Sequence, residues 1–254
     1  TRSGVGYSIP STFTTGYRYA RMGYTTLMNP AMPPLEARHT HEELEDTPMV
    51  DKATYPLLGD WWFVLEYLRD NMIEECAAHV AWMMNATKGY AIKIVNPGGL
   101  EAWGFGNNVR DLYDPVPYFN ITPEEIVRGL CKVNKLLNMP HTIHVHTNNL
   151  GKPGNYQTAL DTMKCVENLA SEKKPVIHIT HCQFCAFKGS DWKTLESGAE
   201  EIAKYVNNHS HVTLDMGQVI FTDTTTMTAD GPFQYRLYQL SGNKWMNHDV
   251  ETET

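Results

Sequence analysis

Short apolar runs alternate with longer amphipathic segments along most of this chain, and that alternation limits the possible folds more than any other feature. Strands are predicted over residues 22–30, 90–99, 141–147, 175–181 and 211–217. Helices are predicted over residues 14–21, 66–87 (with a break near Asn71), 123–137, 156–170 and 195–206. Strands that alternate with helices form right-handed βαβ units, and such units build a parallel sheet.

The segment 123–137 has the clearest helix-forming pattern. Thr122 can cap its start, Pro123 suits the first helical position, and Glu125 completes a capping box. Apolar residues then recur at helical spacing at Ile126, Val127, Leu130, Val133, Leu136 and Leu137. Gly89 lies where a C-terminal cap would end the long helix before it.

Two architectures fit this alternation, a (β/α)₈ barrel and an open doubly wound sheet. No glycine-rich phosphate-binding motif follows any predicted strand, which weakens a nucleotide-binding interpretation. Polar residues instead occur toward the carboxyl ends of the strands, where barrel enzymes place their chemistry. These residues are Lys93, Asn96, His144, His146, His178, His181 and Asp215.

Composition excludes several classes of partner. The 254 residues are enough for one large domain, and the net charge of −8 has no Lys- or Arg-rich stretch to counter it. Nucleic acid and anionic membranes are therefore poor partners. No apolar run reaches the ~20 residues that a membrane span needs. The odd number of cysteines, 5, argues against a disulfide framework and favours a reducing cytoplasm.

Lys93 interrupts the apolar run "AIKIVN". A buried ammonium is rare unless it is paired, so one interpretation is a lysine at the barrel mouth that meets a carboxylate or solvent. The functional interpretations are a Schiff-base lysine and a lysine carboxylated by CO₂. Both need a free amine, and desolvation lowers the pKa of a lysine enough to supply one.

Histidines cluster in two neighbouring runs, "PHTIHVHTNN" and "PVIHITHCQF". His144 and His146 share one face of a strand because side chains alternate with a period of two. Both can reach one cation, or one can bind metal and the other substrate. His178 and His181 lie on opposite faces of a regular strand, and we expect His181, nearer the carboxyl end, to enter the site.

Other candidate ligands have weaker support. Cys182 and Cys185 form a single CxxC, whereas a structural zinc usually needs a second pair. His39 and His41 lie in a polar segment, where a surface turn is expected. His79, His209, His211 and His248 show no convincing partner in the sequence.

A lysine on one strand, followed by histidines on the next two, resembles the order of metal-binding residues in the amidohydrolase superfamily. Longer stretches resemble the catalytic A subunit of formylmethanofuran dehydrogenase more closely. They are "STFTTGYRYARMGYTT", "AMPPLEARHTHEE", "ATKGYAIKIVNPGG", "EAWGFGNNV", "HVHTNNLGKPGNYQTAL", "ITHCQF" and "DTTTMTADGP". The resemblance covers most of the chain in order, and it implies a partial (β/α)₈ TIM barrel with a metal-dependent hydrolase fold.

The resemblance also implies a dinuclear zinc site. Lys93 matches a lysine that is carboxylated (N6-carboxylysine) and bridges the two ions, and His146 and His181 match metal-binding histidines. His144 is the alternative or additional ligand to His146. Asn148 and Asn149, which follow the histidines, and Asn96 are implied on the substrate side.

The activity implied is the reversible condensation of formate with methanofuran to N-formylmethanofuran, the first step of methanogenesis from CO₂. CO₂ reduction is then expected at a tungsten or molybdenum pterin in a partner subunit, with electrons from iron–sulfur subunits. The five scattered cysteines here could not hold a ferredoxin-type cluster. Alternatives are the corresponding component of a bacterial formyltransferase/hydrolase complex, a dihydropyrimidinase- or dihydroorotase-like hydrolase, and a scaffold subunit that has lost its metal.

Two expected parts of such a site have no match in this sequence. The family's first His-x-His pair is expected before Thr1, and its catalytic aspartate beyond Thr254. Asp215 and Asp230 do not occupy that aspartate's position. The expectation is therefore that residues 1–254 form one partial barrel domain, with about barrel strands two to seven.

Overall fold

The computed structural model describes residues 2–3, 6–7, 12–104, 109, 111–170, 174–191 and 193–217. The chain divides into two compact units, one of residues 1–11 with 218–254 and one of residues 12–217. In the first unit, β1 (Arg2–Ser3) pairs with β2 (Gly6–Tyr7) in antiparallel fashion. The rest of the fold described below belongs to the second unit.

Strands and helices alternate through the second unit. The helices are α1 (Thr12–Arg21), α2 (Ala37–Glu45), α3 (Trp62–Arg69), α4 (Ile73–Ala86), α5 (Gly99–Gly104), α6 (Pro123–Leu136), α7 (Tyr156–Lys164) and α8 (Ala199–Asn208). The strands are β3 (Thr26–Met32), β4 (Asp51–Pro56), β5 (Lys93–Val95), β6 (Ile143–His146), β7 (Ile177–Ile179), β8 (Phe187–Lys188), β9 (Glu196–Ser197) and β10 (Val212–Leu214). Among the helices of the described ranges, none combines the length and apolarity needed to cross a membrane.

Six parallel strands follow one another in chain order. β5, β6, β7 and β10 form a four-stranded sheet in which each strand pairs with the next one. β3 pairs with β4, and a parallel bridge between Leu57 and Lys93 connects the end of β4 to β5. A doubly wound sheet would reverse its strand order, whereas a barrel adds strands in sequence. The predicted fold class, a partial (β/α)₈ barrel, is therefore confirmed.

The pairing register divides the sheet into an apolar face and a polar face. Ile94, Ile143, Val145, Ile177 and Ile179 are 0% exposed and share one hydrophobic cluster with residues of the surrounding helices. Because side chains alternate along a strand, the other face carries Lys93, His144 and His178, which lie side by side in register. Burial of the apolar face against the helices therefore determines which side of the sheet carries the polar residues.

Helix α6 forms as the sequence predicts. The Glu125 backbone N–H donates to Thr122 Oγ1 at 3.2 Å, and the Thr122 N–H donates to the Glu125 carboxylate at 2.8 Å. Ile126, Val127 and Leu130 are 0% exposed, so most of the predicted apolar stripe is the buried face. Its last turn was predicted wrongly, since Leu136 is 56% exposed. The cap and the stripe together fix where the chain turns back toward β6.

Several predicted boundaries were wrong. α7 ends at Lys164 rather than near residue 170, and a separate 3₁₀ turn follows at Glu167–Leu169. α8 begins at Ala199, because Glu196–Ser197 pairs with Phe187–Lys188 as a strand. β4 was not predicted, since its first half is polar and only Thr54, Tyr55 and Pro56 are buried. The predicted break near Asn71 is confirmed, and Asn71 there has φ 55°.

The end of α4 differs from the expectation for Gly89. Lys88, with φ 50°, takes the left-handed position, and the Gly89 N–H donates to the Met84 carbonyl at 2.9 Å. This is a Schellman ending in which glycine is the second residue after the cap. A Cβ on Gly89 would lie 2.6 Å from the Pro56 ring, so glycine is needed there for contact with β4.

Two carboxyl groups are buried near the carboxyl ends of β4 and β5. Both carboxylate oxygens of Asp60, and Oε2 of Glu101, are enclosed and accept no hydrogen bond from the described residues. Burial raises the pKa of Glu101 to about 7, and burial together with Glu101 raises the pKa of Asp60 well above its usual range. The pair is therefore at least partly protonated at neutral pH.

We predict that Thr122→Ala lowers the free energy of unfolding by about 1 kcal/mol, because α6 loses its N-terminal cap. Thr122→Ser keeps the hydroxyl and is the matched control. Urea unfolding followed by circular dichroism measures both variants. Equal stability of the alanine and serine variants would show that the capping bond contributes nothing.

We predict that Glu101→Gln raises the free energy of unfolding at pH 8 by about 1–3 kcal/mol and changes it little at pH 4. The folded-state pKa lies above the unfolded one, so the wild type loses stability as pH rises between about 4.3 and 7. The variant lacks this loss. Urea unfolding at the two pH values, with exposed Glu45→Gln as control, measures the effect; an equal gain at both values contradicts it.

Candidate active site

Lys93 is the central residue of the polar face. It is 1% exposed, and its Nζ donates to Thr180 Oγ1 at 2.7 Å. Burial lowers the pKa of Lys93 to about 8, although Asp215 acts in the opposite direction. Roughly a tenth of the lysine is therefore neutral at pH 7, and a neutral amine is the form that reacts with electrophiles.

His146 and His181 lie together at the carboxyl ends of neighbouring strands. Their ring centroids are 5.6 Å apart and their planes are nearly perpendicular, at 86°. Burial, and to a smaller extent Lys93 and His181, lower the pKa of His146 to about 3. The pKa of His181 is also lowered, first by burial and then by Lys93. Both rings are thus neutral at pH 7, which is the form that binds metals.

His144 lies one layer from this pair, in register with Lys93. Its ring centroid lies 4.5 Å from that of Tyr55 and 4.5 Å from that of His178. Burial lowers the pKa of His144 to about 4, and His178 and Lys93 contribute in the same direction. The structure therefore pairs His144 with His178 and His146 with His181, and the choice between His144 and His146 as a ligand stays a prediction.

Asp215 forms hydrogen bonds with His178 and His181, on or just after β7. Its Oδ1 accepts the His181 backbone N–H at 2.8 Å, and its Oδ2 lies 3.1 Å from His178 Nε2. Burial raises the pKa of Asp215, but the hydrogen bonds from His178 and His181 outweigh this effect and leave the pKa lowered. His178 Nδ1 contacts Thr213 Oγ1 at 2.8 Å, so its ring is held at both nitrogens.

The expectation that His178 and His181 lie on opposite faces assumed a regular strand. β7 ends at Ile179, and His181 has φ 57°, so the alternation of faces does not reach it. As a result, both rings contact histidines of β6. Sequence reasoning placed Asp215 at a strand end but missed its contacts, which depend on a strand pairing that only the structure gives.

Asn96 lies in the loop after β5, and Asn148 and Asn149 lie in the loop after β6; hydrogen bonds connect the two loops. Asn148 is 0% exposed, and its Nδ2 donates to Asn96 Oδ1 and to the Pro97 carbonyl, both at 3.0 Å. Its Oδ1 accepts no hydrogen bond from the described residues. Asn149 Nδ2 donates to Thr158 Oγ1 at 3.3 Å. A substrate role for Asn96, Asn148 and Asn149 stays a prediction, with Asn148 Oδ1 as the available acceptor.

The histidines outside the site have structural partners. His39 and His41 lie on α2 rather than in the turn expected from the sequence, with His41 Nε2 2.9 Å from the Thr87 carbonyl oxygen. His79 accepts a hydrogen bond from Trp61 Nε1 at 3.1 Å.

His211 and His209 were also expected to lack partners. His211 is 2% exposed and its Nε2 lies 3.1 Å from the Met163 carbonyl oxygen. His209 Nδ1 lies 2.7 Å from the Tyr205 carbonyl oxygen. Asp230 and His248 lie outside the described residues.

The CxxC cysteines are buried thiols. Burial raises the pKa of Cys182 to about 11 and that of Cys185 to about 12. Cys185 Sγ lies 3.3 Å from Thr147 Oγ1. Thiols with such pKa values stay protonated at pH 7, and protonated thiols are poor nucleophiles and poor ligands.

The residues fit a metal site that uses lysine as well as histidine. Within the described ranges, no group of three or more His, Cys, Asp or Glu side chains is arranged to hold a metal ion. The described site contains two neighbouring neutral imidazoles, those of His146 and His181, and a buried lysine, Lys93, whose pKa is lowered. Carboxylation would turn this lysine into an anionic oxygen donor, so Lys93 can supply the ligand that the histidines lack.

Known proteins resemble this chain over most or all of its length. It is 59% identical over 258 residues to Protein FwdA of Methanocaldococcus jannaschii, a match that covers 100% of this chain and 46% of that protein. It is 33% identical over 228 residues to the FhcA component of the formyltransferase/hydrolase complex of Methylorubrum extorquens, covering 85% of this chain and 39% of that protein. The chain thus spans less than half the length of each relative.

A solved structure shows the same fold. The crystal structure of the formyltransferase/hydrolase complex FhcABCD from Methylorubrum extorquens, in complex with methylofuran, superposes with a TM-score of 0.81 at 32% identity. The superposition covers 92% of this chain and 42% of that one. The family model described as the amidohydrolase family matches residues 1–254. The family match over the whole chain, the identity to these relatives and the parallel strands in chain order together show that the chain belongs to the amidohydrolase family.

Proposed function

We propose that this chain forms part of the amide-chemistry site of a formylmethanofuran dehydrogenase. Lys93, carboxylated by CO₂, would hold two zinc ions together with His146 and His181, and with His144 beside or in place of His146. The reaction joins formate to the primary amine of methanofuran, giving N-formylmethanofuran and water. The reverse reaction hydrolyses the same amide bond.

The burial of Lys93 without an ion pair among the described residues carries this proposal. Its Nζ has one hydroxyl as a partner and no ion pair with any carboxylate of the described residues. An ammonium in such a place is costly unless it is paired. The buried position of Lys93 is explained if its functional form is the carbamate. The carbamate oxygens would then bind cations that the neighbouring imidazoles also hold.

The chain's own residues would orient the reactants. Zinc ions, when bound, would polarise the acyl oxygen and lower the pKa of water from ~15.7 to about 7. His146 and His181 stay neutral through their lowered pKa values and so keep a nitrogen lone pair for a ligand. Asn148 Oδ1, which accepts no hydrogen bond from the described residues, would accept an N–H from the amine or amide of the substrate.

We place CO₂ reduction in partner subunits that carry a tungsten or molybdenum pterin and iron–sulfur clusters. Cys76, Cys131, Cys165, Cys182 and Cys185 are all free thiols, and burial raises the pKa of each. Free thiols support a reducing cytoplasm as the location. The FhcABCD complex with methylofuran described for the structural relative supports both a furan-type substrate and partner subunits.

The similarity to FhcA supports a second candidate, the corresponding component of a formyltransferase/hydrolase complex. The same site residues would serve, because hydrolysis of a formamide is the reverse of the condensation. Purifying the intact protein with its native partners separates the two candidates. A tungsten- or molybdenum-pterin subunit in the complex supports the dehydrogenase, and a formyltransferase subunit without pterin supports the alternative.

We predict that His146→Asn and His181→Asn each lower the zinc affinity of the intact protein by more than about 100-fold, since loss of indirect ligand partners alone costs 10–100-fold. His39→Asn, on the exposed helix α2, is the matched control. Equilibrium dialysis with plasma mass spectrometry measures bound zinc. Zinc affinity that all three variants share with the wild type would exclude the histidine ligands.

We predict that Lys93→Arg abolishes both zinc binding and amide activity. A guanidinium keeps the positive charge but does not lose its proton at any working pH, so it cannot form a carbamate. Partly buried Lys52→Arg serves as the control. A Lys93→Arg protein that hydrolysed N-formylmethanofuran at the wild-type rate would show that Lys93 acts only through its charge.

A further inference from the structure

Thr180 is the residue that Lys93 contacts across the sheet. It directly follows β7, is 3% exposed, and accepts the Lys93 Nζ hydrogen bond at 2.7 Å. Within the described part of the chain, Thr180 Oγ1 is the acceptor that Nζ uses. β6 lies between the two strands, so this bond spans the width of two strand pairings.

The hydroxyl proton of Thr180 is already used in a hydrogen bond to the backbone. Oγ1 donates to the Val145 carbonyl at 3.1 Å, and the Thr180 N–H donates to the same carbonyl at 2.9 Å. A hydroxyl has one proton and two acceptor lone pairs. Toward Lys93, Thr180 is therefore an acceptor, and it binds an N–H of the amine rather than the nitrogen lone pair.

This polarity suits the reaction of the amine with CO₂. The neutral nitrogen uses its lone pair to form a bond to the CO₂ carbon, one C=O bond opens, and one N–H proton leaves to solvent. The product, R–NH–COO⁻, keeps a single N–H. An acceptor that holds an N–H leaves the lone pair free before the reaction and still has a donor to hold after it.

We propose that Thr180 is a positioning residue for carboxylated Lys93: its hydroxyl accepts the remaining carbamate N–H and so fixes the plane in which the two carbamate oxygens lie. The inference rests on the proposed function, because it assumes that Lys93 is carboxylated. Thr180 touches neither substrate nor metal in this role. It acts through Lys93 by limiting rotation about the Cε–Nζ bond.

The test compares Thr180→Val, which keeps the shape and removes the hydroxyl, with Thr180→Ser, which keeps the hydroxyl. Thr162→Val is the matched control, since Thr162 is 1% exposed and its hydroxyl bonds the Thr158 carbonyl on α7, outside the site. The intact protein is equilibrated with graded ¹³C-bicarbonate. The ¹³C NMR signal of the lysine carbamate gives the CO₂ concentration at half-saturation, with no need for an activity assay.

The titration is run at a fixed zinc concentration, because zinc binds the carbamate form and not the amine form of Lys93. The expected result is a half-saturating CO₂ concentration about 5- to 10-fold higher in Thr180→Val, the equivalent of one hydrogen bond, since a carbamate that rotates about the Cε–Nζ bond would hold zinc less tightly. Thr180→Ser and Thr162→Val should match the wild type. Wild-type half-saturation in Thr180→Val would overturn the inference, and so would an equal loss in Thr180→Ser. If Thr180→Val does not fold, Thr180→Ala replaces it with the same criterion.

A wild-type protein with no carbamate signal at saturating bicarbonate gives a different outcome. It would overturn the proposed function at Lys93 and the inference with it. A wild-type signal that all variants share would leave the carboxylated lysine standing and remove only Thr180. The two failures are therefore distinguishable in one titration.

Discussion

The structure of the site depends on one buried amine. Lys93 is enclosed beside three histidine rings, and its positive form lowers the pKa of His144, His146 and His181 in addition to the effect of burial. The imidazoles therefore stay neutral while the lysine is charged. If Lys93 becomes a carbamate, the charge at the centre changes sign, and the same neutral rings face an anion. A cation shared by the rings and the carbamate would then balance the charge of the site, as the proposed function requires.

The pairing of the strands brings these side chains together. Lys93 pairs in register with His144 and His144 with His178, while Val95 pairs with His146. Because the opposite face of each strand is buried against helices, a shift of one residue would exchange the histidines for isoleucines and valines. The register that protects the hydrophobic core is therefore also the register that forms the site. Stability and function constrain the same pairing here.

Sequence reasoning captured what depends on local patterns. It found the parallel alternation, the α6 cap and His146 at the carboxyl end of its strand, because each rests on spacing within about fifteen residues. It placed Lys93 toward the carboxyl end of a strand, whereas Lys93 is the first residue of β5. It missed β4, whose polar first half hides the buried half, and the contact of Asp215 with His178 and His181. It also assumed a regular strand through His181. Those features depend on which strands become neighbours and where a strand stops, and local periodicity carries neither kind of information.

His181 shows how a distant strand can decide local geometry. A non-glycine residue in the left-handed region costs about 1 kcal/mol or more, so its φ of 57° needs compensation. The His181 N–H donates to the Asp215 carboxylate at 2.8 Å, and a hydrogen bond to a charged group contributes about 1.5–3 kcal/mol. Since Asp215 is itself partly exposed, the lower part of that range applies, and the two effects are of similar size. The turn that directs the His181 ring toward His146 is therefore stabilised by the carboxylate that follows β10, and this contact makes Asp215 part of the candidate site.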